Sequence, residues 1–353
     1  MTRLSAIVAL FALSFGATAH AQQSCEPSGG LSFICGLTNA EDLVAVPGTP
    51  WIVASGMAEG AAISLIDSRN KSWSKLYPGE QPRAAFDRAT FEHCPGPPTN
   101  LITHGLNLLP GEGGHHTLYA VGHGGREAIE VFDVDAGGAR PVLTWIGCVP
   151  MPDGLAANSV ASFEDGSILA TVLILPGKTF LDSVMGKPTG AVYEWSPGDD
   201  GFALVEGTEL PSNNGIEVSD DGSEFFVVSS GLHTIVAFSH SNPAKQLRST
   251  SHLPFTPDNV HMGTDGRLLT AGMKDDEPAC GGPPGPQHTL EKLGACPRGF
   301  IAEAIDPRTM QHTVVAQGPA NPAFSNATMI LVSGNEFYIG TFRGDRVGYG
   351  TLK

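Results

Sequence analysis

Apolar and polar residues alternate with a period of two along most of this chain, and glycine-containing turns cut the alternation into short pieces. The clearest piece runs from Asn214 to Phe238. Ile216 and Val218 belong to an alternating strand, Asp220-Asp221-Gly222 makes a turn, and residues 225–228 and 234–238 supply two more apolar strands. Alternation punctuated by Asp-Gly predicts antiparallel pairing. No long stretch carries the 3.6-residue period of an amphipathic helix.

The same plan recurs six times, each time after a polar residue. The first copy starts at Glu41-Asp42, with strands at 51–55 and 61–67. The second starts at His104-Gly105, with strands at 117–122 and 128–134. The third starts at Asn158 and the fourth at Asn214. The fifth starts at Asp258-Asn259 and the sixth at Ser325-Asn326. Successive starts lie 63, 54, 56, 44 and 68 residues apart, and the variation falls in loops such as 176–188 and 274–298. Units of about 40–50 residues with three or four strands are the sequence form of a propeller blade. The prediction is an all-β, six-bladed β-propeller over residues 41–353, with an N-terminal segment, 22–40, whose strand closes onto the last blade. Radial closure also buries the strand edges.

Composition changes the picture at three points. Arg3, an apolar run at residues 7–15 and Ala19-His20-Ala21 read as a secretory signal over 1–21, cleaved after Ala21, so the mature protein is expected in the periplasm or outside the cell. Without Arg3 the chain has 19 basic against 36 acidic residues, a balance of −17, which argues against nucleic-acid or anionic-membrane partners. No protein partner is predicted. The six cysteines form no close zinc pair and read as disulfides in an oxidising compartment. The pairing adopted is Cys25–Cys35, Cys94–Cys148 and Cys280–Cys296, the last pinning the Pro/Gly-rich stretch 281–286.

If the first strand of each blade lines the channel, the starting residues crowd one mouth. Glu41, Asp42, Asn158, Asn214, Asp258, Asn259 and Asn326 then form a hard oxygen set, which suits calcium better than zinc. Any one of them alone could be a turn former; several in register point to a site. His104 faces the same mouth and His123 ends the next strand, so the two are a candidate proton-transfer dyad. His115 and His116, in the Gly-Gly-His-His-Thr turn, read as solvent-exposed.

The run from Thr103 to Asp135, with His-Gly at the strand start and a second histidine nineteen residues on, resembles the paraoxonase (arylesterase/lactonase) family. That family belongs to a wider group of gluconolactonase (SMP-30) and strictosidine-synthase-like propellers. Glu41-Asp42, the NGIEVSDDG stretch at 214 and the DNVHMGTDG stretch at 258 match in the same order. The resemblance implies a catalytic calcium held by Glu41, Asn158, Asn214, Asp258 and Asn259, with His104 as general base and His123 as its partner. It further implies a second, structural calcium at Asp42, the backbone of Leu106 and the residue after Asn158. Here that residue is Ser159 where the family has Asp, and losing a carboxylate weakens a hard-cation site. The family's disulfide to the extreme C-terminus has no cysteine to form it. The implied activity is calcium-dependent hydrolysis of a small lactone or ester, by water that His104 activates or by covalent attack from Asp258. The rival readings are a ligand- or protein-binding propeller with structural calcium, and a strictosidine-synthase-like enzyme using an acidic residue in the channel.

Overall fold

The computed structural model describes residues 25–286 and 288–352, so the secretory signal at 1–21 lies outside the described residues. Six small antiparallel sheets are arranged as a six-bladed β-propeller. In blade four Asn213–Val218, Glu224–Ser229, Thr234–Ser239 and Gln246–Ser249 pair in sequence order. Phe225, Val227, Val236 and Phe238 fill the space towards blade three together with Leu169, Val192 and Ile216. Blade five runs Phe255–Met262, Leu268–Lys274, Phe300–Ile305 and His312–Gly318 in the same way. The turn at Asp220–Gly222 is turn chemistry: Asp221 accepts the Ser223 N–H at 3.0 Å, and Gly222 takes φ +67°.

The ring is closed by the N-terminal segment. Ser32–Cys35 forms the outer strand of blade six, pairing antiparallel with Arg346–Thr351, with Phe33 opposite Gly348. The last blade is thus completed by chain from the opposite terminus. All three expected disulfides are present, Cys25–Cys35, Cys94–Cys148 and Cys280–Cys296. Cys94–Cys148 bridges a sequence separation of 54 and, in the chain-entropy account, constrains the unfolded chain by about 4 kcal/mol.

The outer strands escaped the alternation pattern because they are short or half-exposed and carry mixed residues. Ala203–Val205 and Gln246–Ser249 are examples. Blade two also gains a fifth strand, Arg83–Ala84, pairing parallel to Val142–Pro150. One expectation is corrected here. His116 is buried, because the hairpin strand begins at His115 (His115–Gly124) and alternation turns the next side chain inward, where its Nδ1 accepts the Gly111 N–H at 3.2 Å. His115 stays exposed against Asp133 at 3.0 Å. No helix among the described residues is long and apolar enough to cross a membrane.

Candidate metal centre and proton relay

The polar strand starts do not sit on ordinary ladder positions. Pairing of the inner strands slips by one residue between Thr103 and Leu106, between Asn213 and Ile216, between Pro257 and Val260, and between Ala327 and Ile330. Such bulges set two residues against one and re-aim their side chains. Inside them lie His104-Gly105, Asn214-Gly215 and Asp258-Asn259. Gly105 and Gly215 are required by close approach. A Cβ on Gly105 would stand 2.6 Å from the Ser159 Cα, and one on Gly215 would stand 2.7 Å from the Asn259 Cα. Each glycine thus lets the polar segment of the next blade come into backbone contact; Gly105 N–H donates to the Asn158 carbonyl at 3.1 Å. Threonines of the second strands satisfy the carbonyls that the bulges release: Thr171 donates to Asn214 O at 2.5 Å and Thr270 to Asn259 O at 2.7 Å.

The result is a set of oxygens without partners. Glu41 Oε2 and the Oδ1 atoms of Asn158, Asn214 and Asn259 are buried and accept no hydrogen bond among the described residues. Three of the four have the other end occupied: Asn259 Nδ2 donates to Glu41 Oε1 at 2.5 Å, and Asn214 Nδ2 donates to Ser230 Oγ at 3.1 Å. Glu41, Asn158, Asn214, Asp258 and His104 line one cavity of about 230 Å³, and no Lys or Arg is among the described residues that line it. Burial, and then the charges of Asp258 and Asp42, push the Glu41 carboxyl well above its usual range. Burial pushes Asp258 up to about 7. A buried acceptor left unpaired costs about 1–3 kcal/mol, and these four, with the Asp258 carboxylate beside them, form an all-oxygen donor set of the kind that hard cations take. Larger hollows of about 810 and 750 Å³ lie at the other end of the inner strands, among turns such as Asp220–Gly222, and contain none of these residues.

Asp42, the next residue, has different surroundings. Its Oδ1 accepts the Leu43 N–H and His261 Nε2, both at 2.8 Å, and its Oδ2 accepts the Leu106 N–H at 2.7 Å. His261 Nδ1 lies 3.5 Å from Glu217 Oε2. Burial opposes a charge on His261, but Asp42 and Glu217 outweigh it and raise the imidazole to about 10. The cation beside Asp42 is supplied by the chain. Of the residues that the resemblance implies for a second calcium, Asp42 accepts from Leu106 N–H and lies 2.8 Å from His261 Nε2, and Ser159 stands where the family has Asp, its buried Oγ without a partner among the described residues.

His104 and His123 meet: His104 Nδ1 is 3.3 Å from His123 Nε2. His123 Nδ1 lies 2.6 Å from Glu127 Oε2. If the carboxylate holds a proton on His123 Nδ1, His123 Nε2 accepts from His104 Nδ1–H. The lone pair of His104 then sits on Nε2, on the side of Glu41, 3.8 Å from Oε1. Burial, then the neighbouring His123, lowers His104 to about 3, so it is neutral at ordinary pH.

Asn326 does not join the ring. Its Nδ2 donates to Gly294 O at 3.1 Å, holding the insert of blade five. That insert and the 176–188 loop form the apolar rim, through Leu293 and Pro284 on one side and Phe180 and Val184 on the other. The pattern of strand starts missed Glu127, Glu217 and His261, which lie two to four residues beyond the starting or ending residues it used. A carboxylate four residues after His123 was the available signal for Glu127.

No family model matches the chain, and no curated protein matches it. Solved structures do. The chain is similar to a luciferin-regenerating enzyme at 12% identity, covering 91% of this chain and 94% of that one with a TM-score of 0.54. It is similar to a calcium-binding regucalcin of Agrobacterium tumefaciens at 10% identity, covering 92% and 94% with a TM-score of 0.52. A gluconolactonase of Xanthomonas campestris matches at 16% identity, over 92% and 89%, with a TM-score of 0.51. At such identities the likeness shows the fold, which is that of the gluconolactonase and regucalcin-like six-bladed propellers.

Proposed function

We propose that the protein is a calcium-dependent hydrolase of small lactones or esters. The observation that carries this reading is the set of four unpaired buried oxygens, from Glu41, Asn158, Asn214 and Asn259, gathered beside Asp258 at the end of a His104–His123–Glu127 relay. These five residues would hold the ion, and a bound calcium supplies Lewis-acid polarisation of a substrate carbonyl. His104, neutral and presenting Nε2, takes a proton from the attacking water. His123 receives the opposite proton of the ring and passes charge towards Glu127, whose carboxylate stabilises the imidazolium that forms. The relay compensates for the low basicity of a buried His104, because the charge does not remain on it. The apolar rim excludes water from the floor and accepts the hydrocarbon part of a substrate. Covalent attack by Asp258 gains less support, since that carboxylate belongs to the proposed ligand set.

One ion is proposed, with His261 serving beside Asp42. The relay favours an enzyme over a calcium-binding propeller without chemistry, because a structural ion needs no histidine pair ending on a carboxylate. Export with cleavage after Ala21 is part of the proposal and is supported by the three disulfides. The test is a panel of lactones and phenyl esters assayed with calcium, after chelation, and after calcium is restored. Turnover that disappears on chelation and returns with calcium is expected; no calcium-dependent turnover on any member sinks the proposal in favour of a binding role.

A further inference from the structure

Outside the floor of the cavity, the described residues hold one more group of side chains with metal-ligand chemistry. His233, His252 and Asp275 each offer a ligand atom, and the three atoms lie within 4.8 Å of one another. They come from three separate segments: the loop between the second and third strands of blade four, the connection into blade five, and the chain just past the second strand of blade five. Backbone bonds fasten these segments together. Leu253 N–H donates to His233 O at 2.8 Å, and Asp275 N–H donates to Pro254 O at 3.2 Å. His233 is held at φ +55°, a conformation that a non-glycine residue adopts only when its surroundings impose it.

An ordinary Asp–His pair would need one imidazole. Here His233 Nδ1 lies 2.8 Å from Asp275 Oδ2, and a second ring, His252, stacks on the first at 4.9 Å between centroids. The ring nitrogens of His252 make no hydrogen bond among the described residues, and the residue is exposed, which gives an ion a route in. Asp275 is buried and its other oxygen accepts Thr256 Oγ1 at 3.2 Å, an outer bond of the kind that orients a ligating carboxylate. Ligand nitrogens on a tetrahedral zinc stand about 3.3 Å apart, within the span already present.

We propose that His233, His252 and Asp275 form a second metal site, for a divalent transition ion of the zinc class. Two imidazoles and one carboxylate are a borderline donor set, unlike the all-oxygen set of the calcium floor. Three protein ligands leave a coordination position open, and His233 and Thr256 belong to the wall of the same cavity as Asp258. The ion would tie the blade-four loop to the disulfide-pinned insert of blade five, whose Arg298 Nη1 donates to Asp275 O at 2.8 Å. The proposal does not depend on hydrolase activity.

The test uses the full mature chain, stripped of metal and then saturated with calcium to block the hard site, titrated with cobalt(II) and zinc. The expected result is one cobalt per chain with a visible absorption band of low-symmetry coordination, displaced by zinc. His252→Ala, at an exposed position that folding does not need, should weaken binding about tenfold or more, as even loss of an outer-shell partner does. His115→Ala, at the exposed His115–Asp133 pair, should bind like the parent. If parent and His252→Ala bind cobalt equally, or the parent binds none at micromolar concentration, the site does not exist. Asp275→Asn sharpens the result when it folds, but the His252 arm alone decides.

Discussion

Glu41 and Asp42 are adjacent in sequence and both fully buried, yet the fold sets them against opposite requirements. Asp42 turns to a cluster that contains its own cation, His261, and all of its acceptor directions in use are filled by N–H groups. Glu41 turns to a cluster of unpaired oxygens with a second carboxylate, Asp258, and the His261 cation is only the weakest of the influences on it. Burying two charges is tolerable when they pair with good geometry. Burying like charges together is tolerable only when something else brings the countercharge. The difference separates a polar cluster whose charges are paired within the chain from one that, in the proposed function, takes an ion.

Substitutions at the two neighbours should therefore act in opposite directions on the metal-free protein. Asp42→Asn removes the closer of the two carboxylates that face the buried His261 imidazolium, leaving Glu217 at 3.5 Å, and should cost about 1–3 kcal/mol, read by denaturant unfolding. Glu41→Gln removes like-charge repulsion and should leave the metal-free protein no less stable, while abolishing the stabilisation that calcium adds, about 2.7 kcal/mol at a hundredfold excess over Kd. Equal destabilisation by both would erase the distinction.

His261 gives the pH dependence of the Asp42 side. Its folded value of about 10 lies above the ordinary value of 6.5, so its contribution is complete below pH 6.5 and is lost as pH rises through about 10. The unfolding midpoint of the parent should fall across that window, and His261→Gln should be less stable at pH 6.5 and show a flatter decline. A parallel decline in both proteins would mean that other groups carry the alkaline loss.

On the Glu41 side, His104→Gln should lower turnover by about 10²–10⁴-fold with calcium affinity, measured calorimetrically, nearly unchanged. Full turnover in this variant would remove the relay. Glu127→Gln should cost less, about 10–100-fold, the scale of outer-shell partners, and should shift the pH profile of turnover, which a purely structural residue would not do. The smallest effect belongs to the turn at the other end of the inner strands: Asp221→Ala should stay within about 0.5 kcal/mol in stability and leave calcium binding alone.

The blades were legible because their middle strands are apolar runs bounded by turns, as at Glu224–Ser229 and Thr234–Ser239, which the pattern placed at 225–228 and 234–238. Outer strands such as Gln246–Ser249 were not, because a half-exposed edge imposes no strict alternation. The candidate ligands were visible one by one as polar strand starts, but not the bulges that aim them, since a one-residue register slip leaves no mark in the pattern. Asn326 shows the limit: it precedes the Ala327–Ser333 strand and lies outside the bulge between Ala327 and Ile330, so it is not the counterpart of Asn214 or Asp258, and its amide serves the blade-five insert.

By itself the sequence determined the six-fold repeat, its apolar strands and the polar residues that lie at or near each inner strand, although the strand carrying His104 begins at Leu101. These are consequences of local alternation, turn chemistry and residue type. Only the tertiary structure decided that Asp42 meets His261 from 219 positions away while Glu41 meets Asn259 from 218, and that His123 rests on Glu127. Side chains that close a ring across blades are neighbours through the propeller axis, and separation along the chain carries no information about that distance.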